Sequence, residues 1–301
     1  MTAPEGTVLP RPVSEIPRHQ IVNIRGASMR AVYIIWYRDL IRYWRDRWRL
    51  IASLGQPFLF LVIFGVGLNS SLSGATRGVG LLPQSSLSYT QFIFPGVMGM
   101  AVLFTAIFSA MSIVWDREFG FLKEVLVAPI DRSAVAVGKA LGGSTQAMIQ
   151  GLIMLVFAPL VGVRLTPLTV VELVPLLFIL AFAVTSLGVA IASHLRSMQG
   201  FQVVMNFLLM PMFFLSGALF PLNRLPSWMT VLTRIDPVAY GIGPVRWTVL
   251  HGAGLPAPVA GRLTALTIGG HVLSIPVEVA ILLGFGAVFL VVGIHGFQVR
   301  D

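Results

Sequence analysis

The sequence predicts an all-α integral membrane protein with six transmembrane helices. It adds an N-terminal interfacial helix, a short cytosolic helix between the second and third spans, and short re-entrant outer helices before the last span. Three observations predict this. Of 301 residues, 56% are hydrophobic and only 11% charged, about half the charged fraction that a soluble domain keeps for its surface. The apolar residues gather into six stretches, near 51–69, 90–114, 140–163, 170–193, 201–220 and 275–297, each close to the ~20 residues a helix needs to cross a bilayer. The positive charge, +9 overall, is sorted between loops in the way that membrane orientation sorts it.

Residues 1–27 are rich in Pro, Arg and small polar residues and read as a flexible cytosolic tail; 28–301 form one transmembrane domain. The tail holds no apolar run of the kind that makes a secretory signal, so the first span is expected to do its own targeting. Between 28 and 50 the pattern changes. On a helical wheel Tyr33, Tyr37, Leu40, Trp44 and Trp48 fall within an arc of about 80°, and Arg38, Arg42, Arg45 and Arg49 within another of about 60°. Aromatics on one side and arginines on another describe a helix lying flat in the headgroup layer. The same pattern would suit a surface helix packed on a protein core; tryptophans so near the first span favour the interface, with Tyr37, Trp44 and Trp48 as its lipid-facing residues.

Loop charge sets the orientation. With both termini in the cytosol, the inner segments hold nine arginines before residue 50, then Arg117, Lys123, Arg132, Lys139, Arg196 and Arg300. The outer segments hold Arg77, Arg164, Arg224, Arg234, Arg246 and Arg262. Fifteen against six is a strong bias toward a cytosolic N-terminus. In the long outer segment 221–273, the half-apolar stretch 228–250 is broken by Asp236, Pro237, Gly241, Gly243 and Pro244. That is too interrupted for a span and fits short helices dipping into the outer leaflet.

Absences narrow the chemistry. With no cysteine, disulfides, thiolate metal sites and cysteine nucleophiles are excluded. No ionisable residue lies at mid-membrane; Glu172, Glu278 and His295 sit near span ends, which disfavours a carrier driven by protons or sodium. The nearest approach to a phosphate loop, Gly138-Lys139, has Ser133 at the first glycine position and Ala140 after the lysine, so it lacks both the close backbone approach and the magnesium hydroxyl. His194 and His271 read as isolated polar residues, and no metal site is expected. The charge pattern gives no reason to expect a nucleic-acid partner.

The most informative loop follows the second span. Trp115, Phe119, Leu122 and Leu126 recur at helical spacing, with Asp116, Lys123 and Glu124 available for a polar face, and Pro129 ends the helix before Arg132. A short charged amphipathic helix of this kind suits docking on a soluble partner; a helix that merely joins two spans at the lipid surface is the alternative. Glu118-x-Gly120-x-Leu122, the Ala128-Pro129-Ile130-x-Arg132 turn and Gly138-Lys139 resemble the signature of ABC-2 type transporter permeases. So do Phe214-Leu215-Ser216-Gly217-Ala218-Leu219-Phe220-Pro221, Leu225-Pro226-x-Trp228, Ile235-Asp236-Pro237-x-x-Tyr240 and Arg246. The chain departs from the family at Asp236, where Asn is usual, and at Phe121, where a small hydroxyl residue is common.

The resemblance implies the membrane subunit of an ATP-driven exporter. Such a subunit pairs with a second copy or a related permease, and seats on a separate ABC ATP-binding subunit in the bacterial cytoplasmic membrane. The chain itself would be non-catalytic and without a cofactor, ATP and Mg2+ being held by that partner. Segment 115–130 would be the coupling helix, with Asp116, Arg117, Glu118, Gly120, Leu122, Pro129, Arg132 and Lys139 as the coupling residues. The fifth span would border the pathway through Gln202, Asn206, Met210, Phe213 and Phe214, although amides there also suit helix packing. Phenylalanines rather than Tyr and Trp platforms along that span favour a hydrophobic or amphipathic cargo. A lipid-linked glycan or wall polymer, and a non-transporting sensor or assembly subunit, are the alternatives.

Overall fold

A computed structural model describes residues 24–68, 88–118, 131–222, 225–264, 266–268 and 271–300. The chain is helical almost throughout these residues. Helix α1 (Ile24–Arg45) is followed at Asp46 by α2 (Arg47–Phe60), which runs on as a π-helical stretch over Leu61–Leu68. Ser28–Arg45 and Leu50–Gly65 are bent by 72° from each other, the geometry expected where an interfacial helix turns into a span. Among the described residues, five helices are each long and apolar enough to cross a membrane, and the bent pair makes the sixth candidate. The chain is a multi-pass membrane protein.

Helix α3 (Tyr89–Glu118) corrects one expectation. The second span was predicted to stop at 114 with a separate helix from 115, but Trp115, Asp116, Arg117 and Glu118 continue α3 without a break. At 1.5 Å per residue its 30 residues extend about 45 Å, beyond the ~30 Å hydrocarbon core. Nothing between Ile113 and Glu118 breaks a helix, so the span projects past the bilayer as one rod. Gly120, Leu122, Pro129 and the rest of 119–130 lie outside the described residues.

Helix α4 (Arg132–Met154) is capped by Asp131, whose carboxylate accepts from the Ser133 N–H, and tightens into a 3-10 stretch over Leu155–Val161 that ends on Gly162 at φ +71°. Helix α5 (Pro167–His194) starts on a Thr166 cap with proline at its first position, where the missing N–H is no loss. Helix α6 (Met198–Leu215), capped by Ser197, is shorter than the predicted 201–220. Its end is local: the Ser216 hydroxyl donates back to the Phe213 carbonyl at 2.6 Å and Gly217 takes φ +75°, a turn open to glycine.

The interrupted outer segment resolves into α7 (Ser227–Ile235), α8 (Pro237–Gly252), α9 (Ala257–Thr264) and a two-residue antiparallel pair, β1 (Thr267–Ile268) with β2 (His271–Val272). Helix α10 (Ile275–Arg300) closes the chain.

The core is built around α3, buried almost continuously from Phe92 to Val114 and packed against α2, α4, α5, α6 and α8. Small residues set the approach. A Cβ on Gly188 would lie 2.7 Å from Ala110 Cβ, and one on Gly143 2.6 Å from Thr185 Cγ2, the close spacing by which membrane helices gain contact without help from water. The outward faces remain apolar, with Val277, Leu283, Val288, Val291 and Val292 of α10 exposed. A soluble monomer would not expose so continuous a surface.

Candidate coupling and pathway elements

Helix α1 lies against α4 and has three faces rather than two. Tyr33, Tyr37 and Trp44 are exposed on α1; Trp48, expected on the same helix, lies beyond the break at Asp46 on α2 and is exposed there. Ala31, Ile35, Asp39 and Tyr43 form an i, i+4 ladder of buried residues turned toward the protein. Along that seam Trp36 Nε1 donates to Thr145 Oγ1 at 3.0 Å, Gln146 Nε2 to the Asp39 carbonyl at 3.0 Å, and the Tyr43 hydroxyl to Gln150 Oε1 at 2.7 Å.

Two of the predicted coupling residues sit inside this seam. Lys139 Nζ reaches Asp116 Oδ2 at 2.9 Å, Ser112 Oγ at 3.0 Å and Asp39 Oδ2 at 3.3 Å. Arg38 lies 3.1 Å from Asp39 Oδ1 and 3.6 Å from Asp116 Oδ2. The Lys139 side chain is 3% exposed. Asp116 is therefore not on an open polar face, as its spacing suggested; among the described residues two cations meet two carboxylates, and Asp116 and Lys139 tie α1 to the C-terminal end of α3 and the N-terminal part of α4. Such a cluster holds only when every charge is matched, because burying a lone charge costs several kcal/mol.

The other predicted coupling residues among those described, Arg117, Glu118 and Arg132, hold helix ends. Arg117 Nη1 donates to the carbonyls of Ala192, Ser193 and Leu195 at 3.0–3.3 Å, at the C-terminus of α5. Next to it, Glu118 Oε2 accepts from the Met198 N–H at 3.0 Å, at the N-terminus of α6. Arg132 Nη1 approaches the Phe297 and Gln298 carbonyls at 3.5 and 3.3 Å, near the end of α10. Each charge has the sign that the helix end favours: cations at carbonyl ends, an anion at an N–H end. Adjacent Arg117 and Glu118 thus straddle the α5–α6 turn, each on the end that suits it.

On α6, Gln202, Asn206, Met210 and Phe214 are exposed in one stripe with an i, i+4 spacing, joined by Val203 and Phe207. Phe213 leaves that stripe. It is buried on the neighbouring face with Phe201, Met205, Leu209 and Met212, its ring edge-on to Phe60 with centroids 5.8 Å apart. One residue rotates a helix by about 100°, which separates Phe213 from Phe214.

Beyond α6, Arg246 on α8 is fully buried. Its Nη2 donates to the Gly217 and Ala218 carbonyls at 2.6 and 2.9 Å, and its guanidinium stands 4.2 Å from the centroid of Phe92. Asp236 caps α8 by accepting from the Val238 N–H at 2.9 Å. Burial pushes its carboxyl well above the usual carboxylate range, an effect that this hydrogen bond only partly offsets. In the crotch of the α1–α2 bend lies a cavity of about 540 Å³, walled by Phe104, Phe108 and Met111 and edged by Arg42, Gln56 and Thr105.

Comparison with known proteins gives this architecture a family. Residues 30–250 match the model for the ABC-2 type transporter, so the chain belongs to the ABC-2 type transporter family. It is 28% identical over 226 residues to ycf38 of Cyanophora paradoxa, named as a candidate transport permease, covering 74% of this chain and 76% of that one. It is 26% identical to DrrC of Mycobacterium tuberculosis, named as a probable doxorubicin resistance ABC transporter permease protein, covering 75% and 79%. With the inner membrane transport permease YadH of Escherichia coli the identity is 28%, covering 73% and 83%.

Proposed function

We propose that this chain is the membrane subunit of an ATP-driven exporter in a bacterial cytoplasmic membrane, with both termini in the cytosol. A second copy of the chain completes the pathway, and a separate ABC ATP-binding subunit drives it from the cytosolic face. The observation that carries this reading is the wiring at that face. Arg117, Glu118 and Arg132 bracket the segment proposed to dock on the ATPase, and they hold the ends of α5, α6 and α10. A displacement of that segment would reach three spans directly, and α1 through Asp116 and Lys139.

The cargo proposed is a hydrophobic or amphipathic, drug-like molecule. The exposed stripe of α6 combines two amides with Met210, Phe207 and Phe214, and the cavity at the α1–α2 bend is likewise of mixed polarity. DrrC, a relative, is named for resistance to doxorubicin. The test is to purify the chain with its ATPase, reconstitute both in vesicles, and measure hydrolysis and transport across a panel of amphipathic drugs and lipid-linked glycans. Asn206→Leu and Phe214→Ala are expected to change which drugs stimulate hydrolysis, by about tenfold for the most affected ones, through loss of one amide or one aromatic contact. Complex assembly should be retained. An unchanged profile in both variants, or stimulation by glycans alone, would remove α6 as the wall of a drug pathway. Phe213→Ala is expected instead to lower stability, by about 3–5 kcal/mol as a buried large-to-small change.

Orientation is testable on its own, because the native chain has no cysteine to give background. Ala257→Cys is expected to react with an impermeant thiol reagent added outside intact cells and Gln199→Cys to react only after permeabilisation; both positions are exposed. The reverse pattern would invert the proposed topology.

A further inference from the structure

Helix α6 is gripped at both ends by opposite charges from different parts of the fold. At its start, the Glu118 carboxylate accepts from the Met198 N–H at 3.0 Å, while the Ser197 cap takes the Gly200 N–H at 3.1 Å. At its finish, Arg246 holds the Gly217 and Ala218 carbonyls of the turn at 2.6 and 2.9 Å. An anion at the N–H end and a cation beyond the carbonyl end both favour the helix dipole. The carriers differ in setting: Glu118 ends α3 at the edge of the proposed docking segment and is exposed, whereas Arg246 is 2% exposed inside the outer helices.

We infer that Glu118 and Arg246 are the positioning residues of the pathway helix: Glu118 passes movement of the cytosolic segment to the start of α6, and Arg246 anchors its far end. The inference rests on the reading that α6 borders the export pathway, and it gives Glu118 a partner inside this chain rather than on the ATPase. A helix held at both ends can only tilt or bend between them. Pro211 lies within that interval and cannot donate to the carbonyl four residues back, Phe207, which makes the stretch carrying Met210 and Phe214 the compliant one. Arg246 suits an anchor for a further reason. The two hydrogens on its Nη2 bond both carbonyls of the turn, and Phe92 covers the flat face of the guanidinium.

The test uses the complete complex and two single-cysteine reporters, Gln202→Cys near the inner end of α6 and Phe214→Cys near its outer end. In the otherwise native chain, a non-hydrolysable ATP analogue should change the thiol-labelling rate at both reporters. Glu118→Ala should abolish the change at Gln202→Cys while the ATPase stays associated. Glu118→Gln, which keeps an acceptor oxygen, should restore most of it. Arg246→Lys, which keeps the charge but lacks the planar head that Phe92 covers, should raise labelling at Phe214→Cys about tenfold even without nucleotide, the equilibrium equivalent of that lost stacking. A nucleotide response that survives Glu118→Ala overturns the inference, as does loss of ATPase association in that variant, since Glu118 would then be a docking residue. Native labelling at Phe214→Cys in Arg246→Lys overturns the anchor. Absence of any nucleotide response in the otherwise native chain would strike the export reading itself, and is distinct from these.

Discussion

Lys139→Met is expected to destabilise the protein by about 3–5 kcal/mol, the range for removing one partner of a buried ion pair. The lysine side chain is 3% exposed and bridges Asp39 and Asp116 at 3.3 and 2.9 Å. Without it, two carboxylates face each other and, among the described residues, Arg38, itself 37% exposed at the side chain, is left to balance them. The damage should be more than thermal, because α1 would lose its charged tie to α3 and α4, leaving the Trp36, Tyr43 and Gln146 hydrogen bonds along the seam. Thermal unfolding of the detergent-solubilised protein reads the stability, and the yield of inserted protein reads the biological consequence. The triple change Lys139→Met, Asp39→Asn and Asp116→Asn should recover most of the loss, since no uncompensated buried charge remains. Arg38 can turn its head group to water on its apolar stem. A melting temperature for Lys139→Met equal to that of the native protein would show that the cluster is wet and of little weight.

The location of that cluster shows what the sequence made legible and what it did not. Span positions were readable because lipid leaves hydrophobicity as the dominant pattern: α5 and α10 overlap the predicted 170–193 and 275–297 almost throughout, and α4 with its 3-10 continuation covers 140–161 of the predicted 140–163. Two other spans are ended by something other than hydrophobicity. Helix α3 runs on to Glu118 because polar helix formers extend a rod past the bilayer, and α6 stops at Leu215 because Ser216 and Gly217 make a turn inside an apolar run.

On α1 the wheel exposed an aromatic arc and an arginine arc. The space between them, where Ile35, Asp39 and Tyr43 fall, was the available sign of a third, buried face. An acid among arginines on an otherwise basic helix was the residue-level clue, and its partner could not be read because Lys139 lies 100 positions further along. The alternating signs of Arg117 and Glu118 carry the same lesson. They resemble a docking surface until the α5–α6 turn is seen beneath them. Phe213 and Phe214 are adjacent in sequence, and only packing tells which of them turns outward.

The second large effect is expected at Gly96, on the buried face of α3. A Cβ built there would stand 2.6 and 2.7 Å from the Cα and carbonyl carbon of Ala218, closer than non-bonded carbons approach. The obstacle is backbone, so no rotamer change relieves it. Either α3 or the turn after α6 must move. That turn cannot shift without lengthening the bonds from Arg246 to Gly217 and Ala218, which leaves a buried guanidinium short of acceptors. Overpacking alone costs about 1–3 kcal/mol, and a charge-assisted bond lost at a buried site adds about 1.5–3 kcal/mol. Gly96→Ala should therefore lower stability by several kcal/mol and disable transport, although alanine is the better helix former by about 1 kcal/mol. Gly55→Ala on α2 supplies the control, because a Cβ there meets nothing within 4 Å and only the favourable propensity term remains. Thermal unfolding and transport measured on both variants check the argument. Native behaviour of Gly96→Ala would mean that the turn yields freely, and that Arg246 does not hold α6 at its C-terminal end.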